Sequence, residues 1–191
     1  MSILLGLSPF LVFFALMRLA SPVAGLVGAL VVSALLCLRM RLRGESIKIL
    51  EVGSLVLFGL LCVYTLVVAP RWTVATVRLA VDGGLLAIVL VSLAIGRPFT
   101  LQYARERVPE QFWASPIFLA VNRVITAVWA ASFAVLVAAD AAAEYVPAIP
   151  LWGDVGASVA AFLGALWFTR WYPARVRRAV AAAFGTESTP A

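Results

Sequence analysis

The chain has 191 residues, of which 64% are hydrophobic, whereas a soluble globular domain is about 45–50% apolar. Its mean hydropathy of +1.05 excludes an ordinary soluble domain. Its net charge of +6 comes from basic residues in short loops, and this position favours anionic lipid headgroups over nucleic acid as a partner. With no histidine and two cysteines, the chain lacks the ligands and nucleophile–base pairs of the common metal, haem and hydrolase sites, so we expect no cofactor, no metal and no catalytic residues.

Six apolar runs follow one another along the chain and predict an all-α, polytopic integral membrane protein, a bundle of about six transmembrane helices. Because the second run follows the first at once, the first is interpreted as half of a helical hairpin and not as a cleaved signal peptide. The predicted domains are a single transmembrane helical domain over residues 1–172 and a basic cytoplasmic tail over residues 173–191. The runs are Ile3–Leu16, Val23–Leu38, Ile47–Ala69, Thr73–Ile95, Ser115–Ala139 and Leu151–Thr169.

Basic residues are distributed unequally between the two sets of predicted loops. Of the 15 Lys and Arg residues, only Arg18 and Arg71 lie on one side, and Arg78 and Arg123 lie within spans. The loop of residues 140–150 carries no basic residue, so we assign it to the exterior. The positive-inside rule then predicts a multi-pass protein of the inner membrane with both termini in the cytoplasm. The predicted cytoplasmic residues are Arg39, Arg41, Arg43, Lys48, Arg97, Arg105, Arg107, Arg170, Arg175, Arg177 and Arg178.

The fourth run carries two opposite charges at membrane depth. Arg78 and Asp82 are four residues apart, so a helix places them on one face. An unpaired charge at this depth costs about 2.5–3.5 kcal/mol on insertion scales, so pairing or access to water is expected. Two interpretations stay open: an ion or solute site, and a buried ion pair within one helix that fixes its packing.

The fifth run contains Asn122 and Arg123, and Glu51 in the third run lies at a comparable depth. We predict that Arg123 pairs with Glu51 across two helices, because a guanidinium inside the membrane requires a partner. The alternative is that Arg123 binds a phosphate or carboxylate group of a lipid or solute. Together with Arg78 and Asp82, these residues form the candidate intramembrane polar site.

Polar residues are densest in the loop of residues 96–113, which joins the fourth and fifth runs. The pattern predicts a short interfacial helix that Thr100 caps and that ends before Pro109, with Tyr103 and Arg107 on one face. One interpretation is a surface on which a partner protein docks, and the other is a charge run that faces solvent or headgroups. The candidate docking residues are Arg97, Gln102, Tyr103, Arg105, Glu106 and Arg107.

The sixth run has small residues at helical spacing, Gly156, Ala160 and Gly164, which allow close approach of another helix. This stripe serves either packing within the chain or a homo-oligomer. The residues that follow, Arg175, Arg177 and Arg178, lie beside the membrane and predict an anchor for anionic lipid headgroups.

The order of these features resembles the intracellular septation protein A family, inner-membrane-spanning proteins linked to cell-envelope integrity and division. The resemblance rests on LSPFLVFFAL (Leu7–Leu16), and on GRPFTLQYARERVPEQFW followed by NRVITAVW. It implies a non-enzymatic role in envelope maintenance or septation, exerted through envelope or division proteins or through lipids. The family has no agreed catalytic residues to carry over.

Two functions therefore follow from the sequence. The first is this envelope-maintenance role, which the short loops and the missing catalytic residues also favour. The alternative is a small transporter or channel, in which Arg78, Asp82, Asn122 and Arg123 line a polar path, because ionisable residues at membrane depth often mark such a path.

Overall fold

The structure, a computed structural model, describes residues 3–68, 72–146 and 151–185, without the side chains of 151–154 and 183–185. Every regular element in these ranges is helical, which confirms the all-α prediction. Arg71, residues 147–150 of the predicted exterior loop and residues 186–191 of the predicted tail lie outside the described residues. The helices are α1 (Ile3–Gly6), α2 (Ser8–Leu19), α3 (Pro22–Leu42), α4 (Ile49–Val68), α5 (Val74–Ala94), α6 (Phe99–Arg105), α7 (Pro116–Tyr145) and α8 (Leu151–Gly185), with a 3₁₀ turn at Glu110–Phe112.

Four helices of the described chain, α3, α4, α5 and α7, are long and apolar enough to cross a membrane. Helix α2 is apolar but has only 12 residues. Helix α8 has 35 residues, and its first turn is among the residues whose side chains are not described. The predicted number of six spans is therefore not confirmed, whereas a helical architecture with membrane-length helices is.

Two predicted boundaries differ from the structure. The first apolar run is divided into α1 and α2 because Pro9 lacks the N–H that would continue the helix, and the Ser8 hydroxyl donates instead to the Leu5 carbonyl at 2.7 Å. The fifth run does not end at Ala139, since α7 continues to Tyr145. The assignment of Asp140 to an exterior loop is therefore wrong, because Asp140 is a buried residue of α7.

The helices pack in sequence, α2 on α3, α3 on α4, α4 on α5, α5 on α7 and α7 on α8. Phe13, Phe58, Trp129 and Phe133 are completely buried in the core between them. At the crossing of α2 and α3, a Cβ on Gly25 would lie 2.9 Å from the Phe13 carbonyl oxygen, so the two backbones approach closely only because this residue is glycine.

The outward faces of α3 and α4 carry large apolar side chains. Val27, Val31 and Leu35 on α3, and Val56 and Leu60 on α4, are between 48% and 64% exposed and recur at intervals of four residues, which places each set on one face. Soluble monomers rarely expose continuous apolar patches of this kind, so lipid is the expected neighbour of these faces.

Successive long helices run antiparallel, so the bundle has two ends, which we name after Glu51 in the first turn of α4 and Arg78 in the second turn of α5. At the Arg78 end, the Thr73 hydroxyl caps α5 by accepting from the Thr76 N–H at 3.0 Å. The Glu144 carboxylate on α7 accepts from the hydroxyls of Thr73 and Thr76 at 3.1 and 3.0 Å. This carboxylate ties the start of α5 to the last turn of α7.

At the Glu51 end, α5 ends in a Schellman motif. Gly96 has a φ of +69°, which a residue with a side chain rarely adopts. Its N–H donates to the Leu93 carbonyl at 3.0 Å, and the Arg97 N–H donates to the Ser92 carbonyl at 2.9 Å. The turn fixes the backbone position of Arg97 and the point at which the following helix α6 begins.

Candidate functional site

Three buried charged side chains meet at the Arg78 end, and we call them the α5–α7 charge cluster: Arg78, Asp82 and Asp140. The Arg78 guanidinium lies 2.5 Å from the Asp140 carboxylate, and both side chains are almost fully buried. Asp82 lies one turn along α5 from Arg78 and is also buried. The sequence predicts Arg78 and Asp82 at depth on one helix face, and the structure adds Asp140 as the partner on the neighbouring helix.

A cavity of about 340 Å³ lies beside this cluster, between α2, α5, α7 and α8. One wall extends from Leu7 to Arg18, and the remainder is lined mainly by aliphatic side chains with Phe133 and Phe162. Arg78 and Asp82 both reach the cavity, Arg18 lies exposed at its edge, and the Arg78 guanidinium stacks 6.0 Å from the centre of the Phe14 ring. The cavity is thus apolar along its length and charged at one end.

Ser158 of α8 also lines the cavity. Its hydroxyl oxygen is buried and has no hydrogen-bond partner within the described chain. A buried hydroxyl without a partner costs about 1–3 kcal/mol, so a polar group of a bound molecule or a water would stabilise it.

A second cluster lies at the Glu51 end, and we call it the α4–α6 polar cluster: the buried Lys48, Glu51 and Tyr103, the half-buried Gln102 and the exposed Glu106. The Tyr103 hydroxyl donates to the Glu51 carboxylate at 2.8 Å, and the Ile49 N–H donates to the Gln102 side-chain oxygen at 2.8 Å. The Lys48 ammonium lies 2.6 Å from the Glu106 carboxylate and 4.7 Å from the centre of the Tyr103 ring. Helix α6 is therefore held on the start of α4 by the hydroxyl group and one ring face of Tyr103.

The N-terminal helix α1 closes this cluster. A Cβ on Gly6 would lie 2.1 Å from the Tyr103 hydroxyl oxygen and 3.2 Å from a Glu51 carboxylate oxygen. Because only hydrogen fits at this point, the Tyr103–Glu51 hydrogen bond is covered by the backbone of α1 and shielded from water.

The environment shifts the pKa values of two groups in α6 and the turn that follows it. Burial, and then the adjacent Glu51 carboxylate, raise the pKa of Tyr103 well above its ordinary value, so its hydroxyl stays protonated. Partial burial alone would raise the pKa of Glu106, but the attractive interactions of its carboxylate, first among them the hydrogen bond to the Lys48 ammonium, together outweigh burial and lower the pKa below its ordinary value. The Glu106 carboxylate is therefore negatively charged at neutral pH.

The predicted pair between Glu51 and Arg123 is wrong. Glu51 is bonded to Tyr103, whereas Arg123 lies on an exposed face of α7. Asn122 is buried, and its amide donates to the Phe118 carbonyl at 2.8 Å. The five residues of the candidate intramembrane site are thus divided, with Glu51 at one end, Arg78 and Asp82 at the other, and Asn122 and Arg123 in neither cluster.

Thr100 does not cap α6 as predicted. The residue before the helix is Pro98, and Thr100 lies inside the helix. Its hydroxyl donates to the Asn122 carbonyl at 3.0 Å and lies 2.7 Å from the Thr126 hydroxyl. Thr100 therefore attaches α6 to α7.

The candidate docking residues also divide into two groups. Gln102 and Tyr103 make the inward contacts described above and the exposed Glu106 pairs with Lys48, whereas Arg97, Arg105 and Arg107 are exposed and form no ion pair among the described residues. Helix α6 ends at Arg105, so Tyr103 and Arg107 do not share a face of one helix. What stays available at this surface is a set of arginines.

The small-residue stripe of α8 lies away from the core. Gly156, Ala160 and Gly164 are exposed, and a Cβ on either glycine would meet nothing within 4 Å. The helix instead contacts α7 through the opposite face, where the Trp129 indole donates to the Thr169 hydroxyl at 2.9 Å. Beyond the predicted boundary at residue 172, α8 continues through Pro173 without a break and exposes Arg175, Arg177 and Arg178.

Sequence reasoning missed two members of the clusters, Lys48 and Asp140. Lys48 precedes Glu51 by three residues at the start of an apolar run, a spacing that places both on one helix face. Asp140 and Glu144 stand four residues apart in an alanine-rich segment, which favours continuation of a helix over a loop. In the part of the chain that the structure describes, no group of His, Cys, Asp and Glu side chains is arranged to hold a metal ion.

Comparison of the chain with protein-family models, with curated proteins and with solved structures found no match. The resemblance to the septation family stays a prediction.

Proposed function

We propose that this protein is a non-enzymatic inner-membrane protein of about six spans, with both termini in the cytoplasm, that carries a small single-chain amphiphile in the cavity between α2 and α8. The observation that carries the proposal is the cavity of about 340 Å³, which is apolar along its length and ends at the buried charges of Arg78 and Asp82. This is the transporter alternative of the sequence analysis, confined to two of its residues.

The location in a membrane is supported by the four apolar helices and by the exposed valines and leucines of α3 and α4. The orientation is supported by charge, because Arg39, Arg41, Arg97 and Arg105 all lie at the Glu51 end of the bundle. The positive-inside rule then assigns the Glu51 end to the cytoplasm and the Arg78 end to the exterior.

The chemistry of the ligand is supported by the shape and polarity of the cavity. Its volume falls within the range of about 300–1,000 Å³ in which proteins bind small molecules. From Leu7 to Arg18 the α2 wall rises by about 16 Å, enough for one extended alkyl chain along the helix. The unpartnered Ser158 hydroxyl and the guanidiniums of Arg18 and Arg78 would face the polar headgroup.

The proposal is tested by movement of a single-chain lipid across liposome membranes. NBD-labelled lysophosphatidylglycerol is placed in both leaflets, and added dithionite bleaches the label on the outside. We expect the protected inner fraction to decay faster in proteoliposomes than in empty liposomes. Ser158→Trp fills the cavity and should return the rate to that of empty liposomes, and Asp82→Asn should slow it.

Ala157→Trp is the matched control, because Ala157 is the preceding residue of α8 but is exposed outside the cavity. It adds the same bulk to the same helix and should leave the rate unchanged. A wild-type rate equal to that of empty liposomes, or equal rates for the two tryptophan variants, would show that the cavity does not carry the lipid. The envelope-maintenance role implied by the septation-family resemblance stays a separate prediction, on which no described contact bears.

A further inference from the structure

A second recess lies at the Glu51 end, between the α5–α6 turn and the start of α7. It has a volume of about 460 Å³ and is lined by Gly96, Arg97, Pro98, Leu101, Gln102, Arg105 and Leu119. The recess does not overlap the cavity between α2 and α8, since the two have no lining residue in common.

The two arginines of the recess are held in place by local structure. Arg97 follows Gly96 in the Schellman motif, so its backbone is fixed by the hydrogen bond from its own N–H to the Ser92 carbonyl. The Arg105 guanidinium lies 5.3 Å from the centre of the Trp113 ring. Stacking on an aromatic ring orients a guanidinium while leaving its N–H donors free to bind a ligand.

Neither arginine is neutralised by the protein. Both side chains are exposed, and within the described residues neither forms an ion pair with a carboxylate. The nearest acid in sequence, Glu106, is instead bonded to Lys48 at 2.6 Å. The recess therefore presents two positive charges to whatever enters it.

We infer that this recess binds the phosphate group of an anionic phospholipid. Planar guanidiniums bind phosphate through paired N–H···O bonds, which accounts for two arginines facing one recess. The leucine walls favour a ligand with an apolar part, which a lipid has and inorganic phosphate lacks. Trp113 beside Arg105 is a residue type enriched at the membrane surface. The inference rests on the membrane location within the proposed function and not on the cavity between α2 and α8.

Lipid retention measured by native mass spectrometry tests the inference. Purified protein in detergent is titrated with phosphatidylglycerol, and bound lipid is counted after release from the micelle. Arg97→Gln/Arg105→Gln should weaken retention roughly thirtyfold, as expected for two basic residues close to an anionic headgroup. Arg39→Gln/Arg41→Gln removes the same charge from exposed positions at the same end and should change retention by less than about threefold.

Two further arms separate the sources of phosphate. Phosphatidylcholine should be retained less than phosphatidylglycerol, and millimolar inorganic phosphate should not displace the bound lipid. If the two double variants lost lipid retention equally, the effect would come from general positive charge and not from the recess. If inorganic phosphate displaced the lipid, the ligand of the recess would be a free anion and not a lipid. Either result overturns the inference, whatever the liposome assay shows for the cavity.

A charge-conserving variant guards against misfolding. Arg97→Lys/Arg105→Lys keeps both positive charges but loses the paired geometry, so retention should fall between wild type and the glutamine variant. If the lysine variant retains the lipid as wild type does while the glutamine variant fails to fold, the paired guanidinium contact is rejected.

Discussion

The Tyr103 hydroxyl donates a 2.8 Å hydrogen bond to the Glu51 carboxylate, and the Gly6 backbone covers the bond so closely that a methyl group would not fit. A carboxylate buried at the start of α4 thus depends on a residue 52 positions away, on a helix of only seven residues. The short helix α6 is a structural part of the bundle and not merely a loop between two spans.

Tyr103→Phe should lower the stability of the protein by about 1–3 kcal/mol, because it leaves the buried Glu51 oxygen without its donor. The loss is measured as the free energy of unfolding in detergent. Tyr64→Phe is the control, since that ring is 46% exposed and packs on Trp72. If Tyr103→Phe and Tyr64→Phe lowered the free energy of unfolding equally, the contribution assigned to the Tyr103 hydroxyl would be wrong.

The Lys48–Glu106 pair should make stability depend on pH. The pKa of Glu106 is lowered from its ordinary value near 4.5, so its stabilising effect is present above that pH and is lost as the pH falls through the lower value of the folded state. The difference in melting temperature between wild type and Glu106→Gln should therefore be constant at neutral pH and shrink below about pH 4.5.

The control for this titration is Glu110→Gln in the neighbouring 3₁₀ turn. Glu110 is exposed and forms no ion pair within the described residues, so its substitution removes an acidic group without removing a described contact. If the difference in melting temperature between wild type and Glu106→Gln stayed constant down to pH 3, the stabilising ion pair between Lys48 and Glu106 would be contradicted.

Arg78→Gln and Asp140→Asn should each be strongly destabilising, by about 3–5 kcal/mol, because each removes one side of a buried ion pair. The double variant should lose less unfolding free energy than the two single variants lose together. The difference measures the coupling between α5 and α7. Arg123→Gln, on the exposed face of α7, should change stability by no more than about 0.5 kcal/mol. Additive single effects would mean that the two side chains do not stabilise one another.

Two glycines offer a matched test of helix packing. Gly25→Ala should destabilise the protein by about 1–3 kcal/mol, because its Cβ would lie 2.9 Å from the Phe13 carbonyl of α2. Gly83→Ala in α5 meets nothing within 4 Å and should instead stabilise by up to about 1 kcal/mol through helix propensity. If the two substitutions changed the free energy of unfolding equally, the close contact between α2 and α3 would be contradicted.

Much of the helical framework follows from the sequence, because an apolar run of membrane length has few alternatives to a helix. The runs at Ile47–Ala69 and Thr73–Ile95 contain α4 and α5 almost residue for residue. The end of α7 could not be placed in this way. It depends on Asp140 and Glu144 finding partners on α5, and hydropathy treats both residues only as polar.

The members of the two polar clusters could be predicted only in part, because hydropathy does not show which side chains meet. Charges at membrane depth identify Arg78, Asp82 and Glu51 as residues that need partners, but the partner depends on which helices are neighbours. Since α5 packs on α7, Arg78 meets Asp140, and since α6 lies on the start of α4, Glu51 meets Tyr103 and not Arg123. The sequence indicates Lys48 only as a loop charge, because its burial arises only when α6 packs over it.

The ion pair between Arg78 and Asp140 also constrains how the chain is made. Asp140 leaves the ribosome roughly 60 residues after Arg78, or about 3–12 s later at about 5–20 residues per second. During that interval α5 carries charged side chains whose partner helix does not yet exist, so it should linger at the insertion machinery until α7 arrives. Helices α5 and α7 would then enter the lipid phase as a pair.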